Sequence, residues 1–388
     1  MKKTVFCAIA FSFVAGATFA QGNMSTVSQQ GLNQDAVVAQ AGADNSSRVT
    51  QGGTWSPVSQ DNMAEVDQNG TGNDARIRQD NRRNQAYATQ VGENNLSVQR
   101  QDMSANDNVA TVYQNGDDNT ADQLQSGVSN RNEATIIQEA SGNSARQYQR
   151  TFSGDNLAYI AQTGDDNYAE QDQNDISGYN EAYIYQSGEG NIADQTQSIV
   201  SAGNYAEIDQ SGNGNAAYQR QEYVSALNTA YINQSGDNNS ADQRQIWVSA
   251  GNVAEAMQSG NNNEAVQYQQ DVSGLNYAGV SQSGDNNYAS QYQTRLSGLL
   301  NQAYINQSGD NNSAYQVQTD GGVNYANVIQ SGSNNYSLQD QEGFLNRSLT
   351  TQMGGTDNSS TVFQSGSNQM STVMQNGSNN TAVVTQGN

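Results

Sequence analysis

A β-solenoid is the fold class this sequence predicts: an all-β chain of about fifteen stacked strand-arc-strand coils, paired in parallel and in register as cross-β. Three observations predict it. First, an Asn, an Ala two residues on and a Gln four further recur along the chain, as in Asn167-Ala169-Gln173, Asn180-Ala182-Gln186 and Asn191-Ala193-Gln197. Second, the closing glutamines are evenly spaced: Gln114, Gln138, Gln162, Gln186, Gln210, Gln234, Gln258 and Gln282 follow at about 24 residues, with Gln125, Gln149, Gln173, Gln197, Gln221, Gln245 and Gln269 between them. Third, the sequence has one proline, Pro57, so backbone N–H groups are available for strand pairing almost throughout.

The organisation follows in chain order. Residues 1–20 carry Lys2 and Lys3, an apolar run from Val5 to Phe19 and small residues before Gln21, the pattern of a cleaved secretory signal. That run is shorter than the ~20 residues of a membrane-spanning helix, and Cys7, the only cysteine, lies within it. Residues 21–33 form a short N-terminal segment, and 34–388 hold the repeats. Near Gln307 and Gln330 the spacing slips by one residue, and toward both ends it tightens to roughly 22 to 23. The net charge of −23 becomes more negative still once both lysines leave with the signal. Such acidity disfavours nucleic acid and anionic lipid as partners. Low hydrophobicity with high net charge is also a signature of disorder, which the periodicity overrules for the final state.

Within one period, alternation assigns the faces. Asn167, Ala169, Gln171 and Gln173 share one side of a strand, and Tyr168, Glu170 and Asp172 the other. The next strand points Asn180, Ala182, Ile184 and Gln186 inward, and Glu181, Tyr183 and Tyr185 outward. The same inward columns take Asn191, Ala193 and Gln197, then Asn204, Ala206, Ile208 and Gln210, and later Asn239, Ala241 and Gln245. A tight Ser-Gly-Asp-Asn turn, as at 235–238, joins one strand to the next, and a longer arc such as 174–179 closes the coil. That arc repeats an apolar-Ser pair: Phe152-Ser153, Ile176-Ser177, Val200-Ser201 and Val224-Ser225 are examples. Stacking sets like on like, so amides bond up and down the stack as ladders while Ala lets the two sheets close together.

Catalytic chemistry finds no foothold. Histidine is absent and the only thiol lies in the signal, which excludes His-based triads, thiol nucleophiles and zinc sites. Paired acids such as Asp117-Asp118 and Asp165-Asp166 recur at turn after turn, as solvated turn residues do and a catalytic pair does not. Stacked carboxylates at Asp237, Asp285 and Asp310 raise the possibility of calcium, but the strands are longer and less Gly-rich than calcium-binding nonapeptide repeats; no cofactor or metal is expected. The outward column Tyr159, Tyr183, Tyr231 and Tyr304 is interrupted by Glu207, Glu255 and Gly279, which favours surface packing over ligand binding. Arg48, Arg76, Arg78, Arg82, Arg83 and Arg100 either seat an acidic partner or subunit or offset local acid. The outward acids Glu170, Asp172, Glu181, Asp194, Glu207 and Asp242 are expected to crowd into shared columns.

The unit Gln-x-Gly-x-x-Asn-x-Ala-x-x-x-Gln, present as Gln162-Gly164-Asn167-Ala169-Gln173 and Gln234-Gly236-Asn239-Ala241-Gln245, resembles the curlin repeat of bacterial curli subunits, over roughly Gln34 to Gln386. The resemblance implies an extracellular functional amyloid. Such a protein is secreted through a dedicated outer-membrane pore and assembled, with a nucleator subunit, into adhesive fibres of the biofilm matrix of a Gram-negative-type bacterium. The chain departs from the family's major subunit in having about three times its roughly five repeats, and in lacking a Gly-rich segment after Ala20. The stretch from Leu32 to Gly53 is closer to the start of the minor, nucleating subunit.

The expected function is therefore structural: a head-to-tail homopolymer held by the inward Asn and Gln ladders, without membrane insertion. The motif reaches Asn380-Ala382-Gln386, so no capping segment is expected to cover the last coil. The alternative is a monomeric, capped β-solenoid adhesin or binding module that works through its outer face.

Overall fold

The computed structural model describes residues 22–52, 59–103, 105–128, 130–150, 152–174, 176–199, 201–223, 225–247, 249–270, 274–294 and 300–387. Residues 1–20, expected from the sequence to be a signal, and Pro57 lie outside them. Every regular element among the described residues is a strand. Two parallel sheets alternate along the chain: a 16-stranded sheet from Met24–Gln29 to Thr381–Gly387, and a 15-stranded sheet from Asp35–Ala43 to Met370–Asn376. They are the two faces of a β-solenoid, and the N-terminal strand Met24–Gln29 already belongs to the stack, paired with Ser46–Gln51.

Register follows the repeat. Tyr168–Gln173 pairs with Ile192–Ser198 so that Ala169 lies on Ala193, Gln171 on Gln195 and Gln173 on Gln197. Glu181–Ser187 pairs with Tyr205–Ser211, setting Ala182 on Ala206, Ile184 on Ile208 and Gln186 on Gln210. The single-residue slips leave this register intact, because Gln282 still pairs with Gln307 and Gln307 with Gln330. A later irregularity between Gln330 and Gly332 is absorbed as a bulge.

The longer arc is more than an arc. Phe152–Gly154, Ile176–Gly178, Ser201–Ala202, Ser225–Ala226 and Ser249–Ala250 form a third, 5-stranded parallel sheet. Isolated bridges extend it backwards through Asn130, Asn106, Arg82 and Gln60 to Leu32. The expected strand-arc-strand coil stands, and its longer arc adds a short third face in these coils. Arcs stacked one rung apart bring equivalent backbone groups into pairing distance.

The tight turn is built by left-handed backbone. Asp166, Asn238 and Asn286 have φ of 55°, 56° and 57°, a conformation Asn and Asp accept more readily than other non-glycine residues. Gly188, at φ 101°, sits where a β-carbon would lie 2.1 Å from the carbonyl oxygen of Gly212 in the next turn. Glycine fills this column from Gly164 through Gly188 and Gly212 to Gly236, and Ala140, at φ 81°, holds it one coil earlier.

Between the two large sheets lies a narrow interior of small and β-branched side chains. One apolar cluster runs from Val112 through Ile136, Ile160, Ile184, Ile208 and Ile232 to Val328, and a second holds Val49, Val66, Ile77 and Ala88. Glutamine and asparagine are buried as completely as the aliphatics around them. An unpaired amide in such a place costs ~1–3 kcal/mol, so partners for these groups are a condition of the fold.

Candidate assembly interface

Each inward glutamine spends its amide along the stack. Gln186 Nε2 donates to Gln210 Oε1 at 2.9 Å, and Gln210 Nε2 to Gln234 Oε1 at 2.8 Å. In the facing sheet Gln173 donates to Gln197 at 3.0 Å, Gln197 to Gln221 at 2.9 Å and Gln245 to Gln269 at 2.8 Å. A middle ladder runs beside it, where Gln171 Nε2 donates to Gln195 Oε1 at 2.9 Å. The same amide nitrogens reach across the interior: Gln186 to Tyr168 O at 3.0 Å, Gln171 to Tyr159 O at 3.0 Å and Gln173 to Leu157 O at 3.0 Å. The ladders therefore tie the two sheets together as well as linking coil to coil.

The asparagines close the corners. Asn167 Oδ1 accepts the Asn191 backbone N–H at 2.9 Å, and Asn167 Nδ2 donates to Gly188 O at 2.9 Å in the next turn. Asn191 and Asn239 repeat this toward Gly212 O at 2.8 Å and Gly260 O at 2.9 Å. On the other corner Asn180 Oδ1 accepts Asn204 N at 3.0 Å, and Asn204 Oδ1 accepts Asn228 N at 3.0 Å. Ala169, Ala182, Ile184, Ala193, Ala206, Ile208 and Ala241 are fully buried between these amides.

The ladders have a direction, which sequence reading did not supply. Every glutamine bond in the outer column, from Gln29 to Gln51 at 2.8 Å through Gln364 to Gln386 at 2.8 Å, has its donor on the earlier coil. One end of the stack thus offers glutamine amide oxygens and the other glutamine N–H groups, so the two end surfaces are complementary. The middle ladder is also bounded: its column holds Val49 and Ile77 before Gln99, and Gln339 Nε2 turns to Thr350 Oγ1 at 3.1 Å, with Val362 beyond.

Outward groups behave less uniformly than expected. Among the named acids, Glu170 and Asp194 are direct neighbours, but Asp194 and Asp242 both flank Tyr218, and Glu207 lies between Tyr183 and Tyr231. The picture of crowded carboxylate columns is corrected accordingly: Tyr alternates with acid, which lowers repulsion. Burial first, then Glu170, pushes the Asp194 carboxyl above its ordinary value; burial, then Glu207, does the same for Asp209, and burial, then Glu342, for Asp340. Such groups penalise the folded state when ionised. The penalty is full above the raised pKa and is relieved as pH falls through it toward the ordinary 3.8. Lowering pH from 7.5 to 5 is therefore expected to raise the unfolding midpoint of soluble protein in denaturant, and salt at pH 7.5 to act in the same direction by screening; a midpoint that falls on acidification would contradict this.

The early arginines answer local acid. Arg76 pairs with Asp74 at 2.5 Å and Arg78 with Asp80 at 2.9 Å on the same strand or its end, whereas Arg83 with Asp107 at 2.5 Å and Arg100 with Asp122 at 3.3 Å link one coil to the next. Exposed pairs add little stability, but the two that link coils are satisfied in one register only. The turn aspartates are similarly engaged: Asp237, Asp285 and Asp310 accept backbone N–H groups of Asn213, Asn261 and Asp285 from the preceding turn at 2.9, 2.9 and 3.0 Å. No group of three or more possible metal-ligating side chains occurs among the described residues. Tyrosine rings stack loosely, Tyr159 on Tyr183 at 6.4 Å and Tyr277 on Tyr304 at 4.9 Å, the latter beside the notch left by Gly279.

Comparison with known proteins bears on the repeat itself. Residues 355–387 match the family model described as the curlin associated repeat. No curated protein matches the chain.

Proposed function

We propose that this chain, with its curlin associated repeat, is a structural subunit that polymerises head to tail into extracellular curli-type fibres serving adhesion and biofilm matrix formation. The observation that carries the reading is the polarity of the amide ladders. Thr381–Gly387 and Met370–Asn376 are the outermost strands of the two large sheets at one end of the described stack, and Met24–Gln29 and Asp35–Ala43 at the other. Unpaired strand edges template further strands. A second subunit seated on that edge receives N–H groups on amide oxygens, and an interface of this heterologous kind extends without closing.

The partners this function calls for are further copies of the chain, a nucleating subunit and a dedicated outer-membrane secretion pore. The work is done by backbone pairing and amide ladders, so the reading is of a non-enzymatic protein. Mature protein at micromolar concentration is expected to form unbranched fibres with a ~4.8 Å meridional reflection in fibre diffraction. Persistently monomeric protein with full β-structure would sink the polymer reading and leave the capped adhesin in its place.

A further inference from the structure

The two edges of the solenoid differ in a way that the repeat does not require. Along the longer-arc edge the position just before the corner asparagine has left-handed backbone in coil after coil, at φ 53° in Arg83, 57° in Asp107, 56° in Arg131 and 56° in Asp155. In these early coils it carries ion pairs, Arg83 with Asp107 and Arg131 with Asp155. From Tyr179 to Leu345 the same column is uncharged, with Leu227, Leu275 and Leu300 set apart by Gly203 and Gly251, and Tyr179, Leu227 and Leu275 are 69%, 71% and 55% exposed. A position that accepts charged pairs in one part of the stack has no packing need for exposed leucine in another.

The backbone makes the choice costlier. Tyr179 and Leu227 hold φ of 57° and 55°, and Tyr223 and Trp247, on the same edge, 67° and 69°. Bulky residues are disfavoured there, whereas Asn, as at Asn368 in the same column with φ 58°, is comfortable. Tyr223 and Trp247 stack face to face at 4.5 Å while remaining 37% and 45% exposed. Leu275 leans across Gly251, where a β-carbon would come within 2.6 Å of Leu275 Cδ2, so the side chains form a continuous strip.

We propose that this strip is a lateral interface, and that its occupant is a second copy of the solenoid packed along the same edge. Length and chemistry both favour it. From Tyr179 to Leu345 the strip advances roughly seven coil spacings of ~4.8 Å, ~34 Å, across an arc ~13 Å wide. Two copies facing each other cover ~900 Å², close to the ~1,000 Å² of a specific contact, and each subunit added along a fibre repeats it. A straight apolar strip of fixed pitch is matched from end to end by an identical strip across a two-fold axis. Charge points the same way at the centre of the strip: the arc segments 198–204, 222–228 and 246–252 contain one charged residue, Glu222, the later arcs one each (Asp271, Arg295, Asp320 and Glu342), while the opposite edge carries Glu189, Asp237, Asp285 and Asp310 at its turns. Two acidic rods repel least where these apolar arcs meet.

The test is the triple variant Leu227→Asn, Trp247→Asn, Leu275→Asn in the full mature chain, with Met353→Asn on the opposite edge as control. Soluble wild type and control are expected to sediment at twice the monomer mass and the triple variant at the monomer mass, its β-structure unchanged in circular dichroism. Fibres of the variant are expected to show a two-fold lower mass per length with the ~4.8 Å reflection retained. Leu227→Asn alone repeats the measurement should the triple variant lose β-structure. Single-solenoid mass in wild type, or doubled mass in the variant, overturns the proposal. Single mass together with flotation on zwitterionic vesicles that the variant loses also overturns it, assigning the strip to a lipid surface. A wild-type pair that never forms fibres supports the lateral contact and counts against axial polymerisation alone.

Discussion

Replacing Gln186 and Gln197 with Leu is expected to lower folded stability by ~2–6 kcal/mol and to raise correspondingly the protein left soluble after assembly. Gln186 accepts from Gln162 at 2.9 Å and donates to Gln210 at 2.9 Å; Gln197 accepts from Gln173 at 3.0 Å and donates to Gln221 at 2.9 Å. Each substitution breaks a ladder in two places and strands a buried amide oxygen on the following coil, at ~1–3 kcal/mol for each stranded group. Leucine is close to glutamine in size, so lost packing is a minor part of the effect. Glu181→Ser with Tyr183→Ser, on the outward face of the same coil, removes one Tyr183–Glu181 hydrogen bond of 3.2 Å and loose ring contacts, and is expected to cost about 1 kcal/mol. Denaturant midpoints of the two double variants and their assembly curves decide the matter. Equal losses would mean that buried amides contribute no more than surface tyrosine.

Gly188→Ala is expected to destabilise the stack by about 3 kcal/mol or more, while Gly190→Ala, two residues on in the same turn, costs ~1 kcal/mol. Both glycines have left-handed backbone, at φ 101° and 67°. They differ in what a methyl group meets. At Gly188 it lies 2.1 Å from Gly212 O and 2.8 Å from Gly212 C, backbone atoms held by their own pairing, whereas at Gly190 nothing lies within 4 Å. The pair of alanine variants thus separates conformational preference from the closeness of stacked turns. Similar midpoints for both would show that the turns yield and that stacking there is loose.

Much of this architecture is legible before any coordinates. The faces of the strands were readable because alternation is local: Asn167, Ala169, Gln171 and Gln173 point inward for the same reason that Tyr168 and Glu170 do not. The partners of the ladder residues were readable because a constant period leaves one in-register choice, and Gln186 meets Gln210 although the tight turns after them carry Glu189 and Asn213. Outward neighbours were harder. Acids counted along the chain looked crowded, yet the residue between Asp194 and Asp242 in the column is Tyr218, visible only when the column is read coil by coil.

Fold class, period, inward and outward faces and the identity of the stacked columns are written in the chain, since they depend on spacing of ~2 and about 24 residues along one dimension. Tertiary structure alone decided three things. The longer arc becomes a third parallel face, because pairing there depends on arcs from different coils lying one rung apart. The glutamine ladders all run donor to acceptor in one direction, opposite to the asparagine columns, because an amide column minimises unpaired groups only when its members orient alike. And exposed Tyr179, Leu227, Leu275 and Leu300 line up along one edge, because residues about 24 apart in sequence are neighbours only once the coils are stacked.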